Sequence, residues 1–230
     1  MQAIVLAGGF GTRLRQVVPD LPKPMAPVAG RPFLEILLTC LARKGFTRVV
    51  LSLGYMAEKI IGHFGPRFAG LELLYEVETQ PLGTGGAIRQ AAQHCRVDHY
   101  FVFNGDSYLD LDVAAVEAWW QANRAPIIVA RALPDTQRYG RLETHDGHVT
   151  GFVAKGVSGP GLINGGCYVF GASELSALPL GQAFSIEADY FPAHVKARRF
   201  DYFLTDGQFI DIGVPEDFAR AQMELSEVCR

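Results

Sequence analysis

Residues 3 to 14 read Ala3-Ile4-Val5-Leu6-Ala7-Gly8-Gly9-Phe10-Gly11-Thr12-Arg13-Leu14, and Pro22-Lys23-Pro24-Met25 begins eight positions further on. The apolar run Ala3–Leu6 has the make-up of a buried strand, and it ends on a loop with three glycines. Without Cβ atoms, such a loop lets backbone N–H groups close around a polyanion. Two cations follow, Arg13 at the end of the loop and Lys23 between prolines that restrict the backbone on both sides. A glycine-rich turn alone often only connects elements. The added Thr-Arg-Leu and the spaced Pro-Lys-Pro point instead to handling of a nucleoside triphosphate. The loop is not a dinucleotide fingerprint, because Leu14 stands where a third glycine is needed, and no glycine-lysine-serine/threonine triplet marks a P-loop.

Outward from this loop the chain alternates strand and helix. Apolar runs at Val49–Leu53, Leu71–Tyr75, Tyr100–Phe103 and Ile127–Ala130 read as strands. Pro32–Lys44, Ala57–Phe64, Gly86–Gln93 and Val113–Ala122 read as helices, the first opened by proline and stopped by Gly45. Continuous apolar strands separated by helices predict a mostly parallel sheet covered on both faces. In such sheets ligands bind outside the carboxyl ends of the strands, where both the glycine loop and Asn104-Gly105-Asp106 fall. After Arg131 the texture changes. Gly140–Glu143, His148–Phe152 and Cys167–Phe170 are short and broken by turn pairs such as Asp146-Gly147, predicting a hairpin-rich lobe that extends the same sheet. Phe209–Ile212 reads as a last strand and Pro215–Glu227 as a last helix.

The 230 residues are 49% hydrophobic, enough for one large α/β core. A net charge of −3 leaves no basic footprint for nucleic acid, so positive charge at a phosphate site has to be local. Cys40, Cys95, Cys167 and Cys229 lack metal-ligand spacing and read as reduced thiols of a cytoplasmic protein. No apolar run has membrane-spanning length, and the first strand starts too early for a signal peptide. A monomer or a small homo-oligomer, with no nucleic acid and no membrane as partner, is the expectation.

The chain resembles the sugar-1-phosphate nucleotidyltransferases. The similarity runs through Leu6–Leu14, Pro22–Met25, Gln80-Pro-Leu-Gly-Thr-Gly-Gly-Ala87, Asn104-Gly-Asp106, Tyr139-Gly140, Asn164-Gly-Gly166 and Phe209-Ile-Asp-Ile-Gly-Val-Pro-Glu-Asp217, in order over nearly the full length. The short chain, Leu162–Gly166 and the Ile-Asp-Ile-Gly ending look most like the branch that joins GTP to D-glycero-D-manno-heptose 1-phosphate. The resemblance implies a nucleotide-diphospho-sugar transferase fold. That is a Rossmann-like three-layer α/β sandwich with a mostly parallel central sheet and a hairpin-rich C-terminal lobe. It also implies a single nucleotidyltransferase domain over 1–230, with 1–131 serving the nucleotide and 132–230 the sugar phosphate.

The activity implied is attack by a sugar 1-phosphate oxygen on the α-phosphorus of a nucleoside triphosphate, giving an NDP-sugar for cell-surface glycans (lipopolysaccharide, S-layer or capsule) and pyrophosphate. The attacking phosphate is already ionised, so the work is electrostatic and positional. The catalytic residues implied are Arg13 on the departing pyrophosphate, Lys23 on the α-phosphate and Asp106. Asp106 and Asp211 are the implied ligands of Mg²⁺, a hard cation that takes carboxylate and phosphate oxygens. Leu6, Gly8, Gly9, Gly11 and Thr12 would line the triphosphate, and Gln80 and Gly85 would meet the base. On the sugar-phosphate side the candidates are Gly140, Lys155, Asn164 and Gly166.

Two positions depart from the pattern. Gln80 stands where the heptose branch tends to carry glutamate. A carboxylate accepts both guanine N1–H and N2–H, whereas an amide also suits a pyrimidine edge. Ala154 stands where the family has a glutamate for sugar hydroxyls. The base and the sugar are therefore open between heptose, mannose, glucose and N-acetylmuramic acid 1-phosphates with GTP, UTP or dTTP. Asp110-Leu111-Asp112 raises a metal-dependent glycosyltransferase as an alternative, though Asp112 reads as a helix N-cap, and Ala154 raises a non-catalytic sensor. Tyr139 and Tyr168 suit a pocket wall or core packing equally. His145 and His148 read as solvated hairpin residues, and Trp119 and Trp120 as packing for one helix.

Overall fold

The apolar runs of the first half all become strands, most of them lengthened by backbone pairing beyond their apolar centres. The computed structural model describes residues 1–11, 14 and 18–228. β1 is Gln2–Ala7, and the short pair β2 (Pro27–Val28) and β3 (Arg31–Pro32) leads into α1 (Phe33–Arg43). Then come β4 (Arg48–Leu53), α2 (Ala57–Phe64), β5 (Arg67–Phe68), β6 (Leu71–Val77) and α3 (Gly83–Ala91). β7 (His99–Asn104), β8 (Ser107–Leu109), α4 (Val113–Asn123) and β9 (Ile127–Leu133) complete the alternating part. The later part holds β10 (Arg141–His145), β11 (His148–Val153) and the long β12 (Gly161–Gly171). A π-helical turn, Ile186–Tyr190, runs into α5 (Phe191–His194), and β13 (Asp201–Thr205), β14 (Phe209–Asp211) and α6 (Pro215–Glu224) follow.

The main sheet has the order β10-β11-β13-β9-β12-β7-β1-β4-β6-β5. Its centre is parallel, β7 beside β1, β1 beside β4 and β4 beside β6. Alternate residues of these strands feed opposite faces, as a strand's two-residue period requires. Ala3, Val5, Val49, Leu51, Phe101 and Phe103 pack with α1, α2 and α4. Ile4, Val50, Tyr100 and Val102 pack with α3 and α5. A third cluster uses the other side of α1 (Phe33, Ile36) to seat β14 and α6 through Ile210, Ile212 and Phe218.

The expectation of a mostly parallel sheet is corrected. β12 runs antiparallel to both β7 and β9, and β11 runs antiparallel to both β10 and β13, so the sheet is mixed. A tight turn forces the antiparallel sense only for β10 and β11; β12 and β13 meet their partners after long connections, which admit either direction. β10 also pairs with β12 (Arg141 opposite Ile163), which closes β10, β11, β13, β9 and β12 into a ring. The hairpin lobe does extend the same sheet, as the turn pairs predict. The reduced-thiol reading fails at one position. Cys40 is disulfide-bonded, while Cys95 and Cys167 are free. Spacing along a chain does not report which thiols meet in space.

His148 is likewise more than a solvated hairpin residue. Its Nδ1 lies 3.0 Å from a carboxylate oxygen of Asp201, a residue with no exposed surface. Trp119 Nε1 (2.9 Å) and Arg199 Nε (2.6 Å) donate to the same carboxylate, so α4, β11 and β13 meet on one anion. Burial pushes the Asp201 pKa up, but the hydrogen bonds from Arg199 and Trp119 outweigh it and hold the group below its ordinary value. Its stabilisation is therefore complete above the unfolded value of about 3.9 and is lost as pH falls through the lower folded value. Asp201→Ala is expected to lower the stability measured by urea unfolding at pH 7 by about 2–3 kcal/mol. The deficit should shrink when the titration is repeated near pH 3.

Candidate active site

The parallel strands β1, β4, β6 and β7 end on one side of the sheet. Just past those ends lies a cavity of about 530 Å³, lined by Leu6, Gly8, Gly9, Gly11, Ser52, Gly54, Glu78, Gln80, Asn104 and Asp106 among others. The strand registers explain the convergence. Leu6 is level with Ser52 and with Asn104, so three strand ends share one edge. Gly8, Gly9 and Gly11 of the glycine loop line this cavity. Gly11 takes φ +58°, and a Cβ there would stand 2.8 Å from Lys23 Cβ, so no other residue fits beside the Pro-Lys-Pro turn.

Lys23 is set by that turn, a short 3-10 helix Lys23–Met25. Its side chain is only 9% exposed, and its ammonium lies 2.6 Å from Asp106 Oδ2 and 3.6 Å from Asp211 Oδ1. The two aspartates come from opposite halves of the chain. They meet because β14 pairs antiparallel with β8, placing Asp211 opposite Ser107, and because Ile212 N–H donates to Asp106 C=O at 3.0 Å. Asp211 Oδ1 also accepts from Gly213 N–H at 2.7 Å. Three sequence-derived candidates thus form one charged cluster at the cavity edge. Thr12 and Arg13 lie outside the described residues. Among the described residues no group of three or more His, Cys, Asp or Glu side chains converges as a metal cage, so the Asp106–Asp211 pair is the hard-oxygen donor set available.

The base-side candidates divide. Gln80 lines the cavity from an exposed rim position. Gly85 instead packs under Phe184, where a Cβ would stand 2.1 Å from the ring, and its N–H donates to Phe184 C=O at 2.9 Å. The glycines of α3 thus let the segment before the π-helical turn lie against the helix.

On the sugar side, Gly166 and Asn164 sit at the cavity's border. A Cβ on Gly166 would stand 2.7 Å from Asn104 Nδ2, and Asn104 lines the cavity. Asn164 Oδ1 accepts from Gly166 N–H at 2.9 Å. Gly140 and Lys155 belong to the segments flanking β10 and β11, with Lys155 exposed, and neither lines the cavity. Tyr168 resolves to the core, fully buried, while Tyr139 stacks edge-on against Phe209. Asp112 caps α4 by accepting from Ala115 N–H at 3.0 Å, which removes Asp110-x-Asp112 from the site.

Two cavity residues, Ser52 and Glu78, carry no motif; Ser52 lies near the end of β4, and Glu78 follows β6, which runs two residues beyond the apolar run Leu71–Tyr75. Glu187, on the π-helical turn, accepts from Thr84 Oγ (2.6 Å), Ser185 Oγ (3.1 Å) and Tyr168 OH (3.1 Å). Asn164 Nδ2 in turn donates to Tyr168 OH at 2.7 Å. One hydrogen-bonded chain therefore runs from Thr84, at the cavity, to Asn164. Glu187→Ala would leave the buried Tyr168 hydroxyl without its acceptor. It is expected to cost about 1–3 kcal/mol in chemical denaturation.

The family model described as nucleotidyl transferase matches residues 2–228. The chain is 38% identical to the D-glycero-alpha-D-manno-heptose 1-phosphate guanylyltransferase of Aneurinibacillus thermoaerophilus, covering 98% of each chain. It is 37% identical to the enzyme of the same name from Campylobacter jejuni, over 95% of this chain and 97% of that one. Among solved structures, HddC from Yersinia pseudotuberculosis complexed with GMP-PN superposes with a TM-score of 0.87 at 36% identity, covering 97% of this chain and 99% of that one.

Proposed function

The chain belongs to the nucleotidyl transferase family, and from that premise we propose that it transfers a guanylyl group from GTP to D-glycero-D-manno-heptose 1-phosphate. The observation that carries this reading is Lys23, held between Asp106 and Asp211 at the edge of a glycine-lined cavity. A phosphate oxygen of the sugar 1-phosphate attacks the α-phosphorus. The bond from that phosphorus to the bridging oxygen breaks, and pyrophosphate leaves with the electron pair. The attacking oxygen is already ionised, so the reaction consumes no proton and needs no general base. Two anions must meet, and positive charge aimed at the reacting phosphorus lowers that barrier.

Lys23 supplies that charge as a compact ammonium whose position is set by its flanking prolines. Arg13 has the planar fork suited to two oxygens of the leaving pyrophosphate. Asp106 and Asp211, with triphosphate oxygens, suit Mg²⁺, which would neutralise phosphate charge when bound. The parallel strands β7-β1-β4-β6 support the reading of residues 1–131 as a Rossmann-like nucleotide-binding half. In the same reading residues 132–230 receive the sugar phosphate through Asn164, Gly166, Gly140 and Lys155. Among the described residues no helix is long and apolar enough to cross a membrane. We place the enzyme in the cytoplasm, where triphosphates and sugar phosphates are made, as a monomer or small homo-oligomer that feeds a cell-surface glycan.

The test is pyrophosphate release across a matrix of triphosphates and sugar 1-phosphates with Mg²⁺. GTP with the heptose 1-phosphate should exceed every other pair, and silence across the matrix would sink the proposal. Lys23→Ala should lower kcat by about 10²–10³-fold, the scale of losing one preorganised charge contact to the transition state.

A further inference from the structure

Gly140 and Lys155 lie on two separate segments, 134–140 and 154–160, and one side chain fastens these together. Arg141, the first residue of β10, reaches across both. Its Nη2 donates to the backbone carbonyls of Val157 at 3.0 Å and Gly159 at 2.8 Å, and also to that of Ser158. Its Nε donates to the Thr136 hydroxyl. Thr136 has no exposed surface, and its hydroxyl donates in turn to Val157 C=O at 3.1 Å and Gly159 C=O at 3.2 Å. Gly159 N–H donates to Asp135 Oδ1 at 2.9 Å, and Gly156 N–H to Gln137 C=O at 2.9 Å. The stem of Arg141 lies over Gly161, where a Cβ would stand 3.1 Å from Cδ.

Three carbonyl dipoles aimed at one point repel one another, and a cation placed among them offsets that. A guanidinium suits the task, since its planar fork offers several donors in fixed directions where an ammonium offers a single point. Among the described residues no carboxylate forms an ion pair with Arg141, so its charge is spent on these carbonyls. The exposed Lys155 forms no such ion pair either, which leaves its ammonium available to an anion. A lysine stem is flexible, so the place its charge occupies depends on how firmly its backbone is held. The fastened pair of segments is itself anchored. Arg138 Nη2 donates to the buried carboxylate of Asp217 at 2.6 Å, on the β14–α6 stretch that also carries Asp211.

We propose that Arg141 is a positioning residue for the sugar phosphate: by gathering the 157–159 carbonyls onto Thr136 it sets where Lys155 presents its charge. This rests on the reading of Lys155 as a sugar-phosphate contact. Arg141 itself touches no substrate. Its contribution is to fix the segment before the ligand arrives, so that binding does not have to order it.

The experiment is a double-mutant cycle on Arg141→Ala and Lys155→Ala, read as KM for the heptose 1-phosphate and KM for GTP. Arg141→Ala should raise the KM for the sugar phosphate about tenfold and change kcat and the KM for GTP by less than about twofold, the pattern of lost ground-state binding. In the Lys155→Ala background the same substitution should change the sugar-phosphate KM by less than about twofold, because residues that act as a unit are not additive. A full second rise in that background overturns the proposal, and so does a loss of stability with both KM values unchanged or both raised alike. Should Arg141→Ala not fold, Thr136→Val decides. It removes the hydroxyl at the same junction, and it should raise the same KM and lose that effect without Lys155. Failure of the underlying reading is distinct: Lys155→Ala alone would then leave the sugar-phosphate KM unchanged, which removes the proposal with it. If the wild type turns over another sugar 1-phosphate instead, the same cycle is run with that substrate and is decided by the same outcomes.

Discussion

Asp106 and Asp211 can share a cavity edge because one ammonium stands between them. Two carboxylates that both lie against one ammonium repel each other. Lys23, with 9% of its side chain exposed, offsets that repulsion with attraction to both carboxylates. The arrangement constrains sequence far from the charges. Lys23 needs the proline-bounded turn to project inward, and the turn needs Gly11 because a Cβ would strike the lysine stem. Asp211 needs β14 to lie beside β8, which in turn needs the third apolar cluster to seat α6 against α1. A cation that satisfies two carboxylates is also one that an entering polyphosphate competes for. In the proposed reaction the same charge serves both the fold and the chemistry.

The central parallel strands supply the second constraint. Their shared carboxyl edge makes the cavity, and their burial on both faces leaves no side on which a ligand could otherwise approach the sheet. This is why the half of the chain richest in continuous apolar runs supplies most of the cavity lining. The other half is built from hairpins closing a ring, and its polar residues reach the cavity by border contacts such as Asn164 and Gly166 beside Asn104.

What the sequence made legible follows the range of the interactions involved. The strands β1, β4, β7 and β9 and the helices α1, α2 and α4 were readable because apolar periodicity and caps are local signals. The Lys23–Asp106–Asp211 cluster was readable through motif and family order. Its cause, the β8–β14 ladder, was not, because three-residue strands carry too little pattern. β13 and the π-helical turn were missed for a related reason. β13 begins on a buried aspartate, whose charge argues against a strand until Trp119, His148 and Arg199 are seen around it. The glycines of α3 were legible as glycines but not in their purpose, since the element they admit, residues 182–184, lies about a hundred positions away.

The cavity and β12 are joined by a buried polar chain. Thr84, at the first turn of α3, and Asn164, on β12, share the chain Thr84–Glu187–Tyr168–Asn164. Tyr168 is fully buried, so its hydroxyl cannot exchange partners with water, and a change at either end must be absorbed along the chain. Glu187 holds three donors at once because a carboxylate has about four acceptor sites; the π-helical turn that carries it is a kind frequent at functional sites. The consequence is geometric. The separation between Thr84, at the cavity, and Asn164, on β12, is set by the sheet on one side and by this buried polar chain on the other. In-line attack on an α-phosphorus tolerates little error in that distance. A protein with no general base to deploy has good reason to fix it twice.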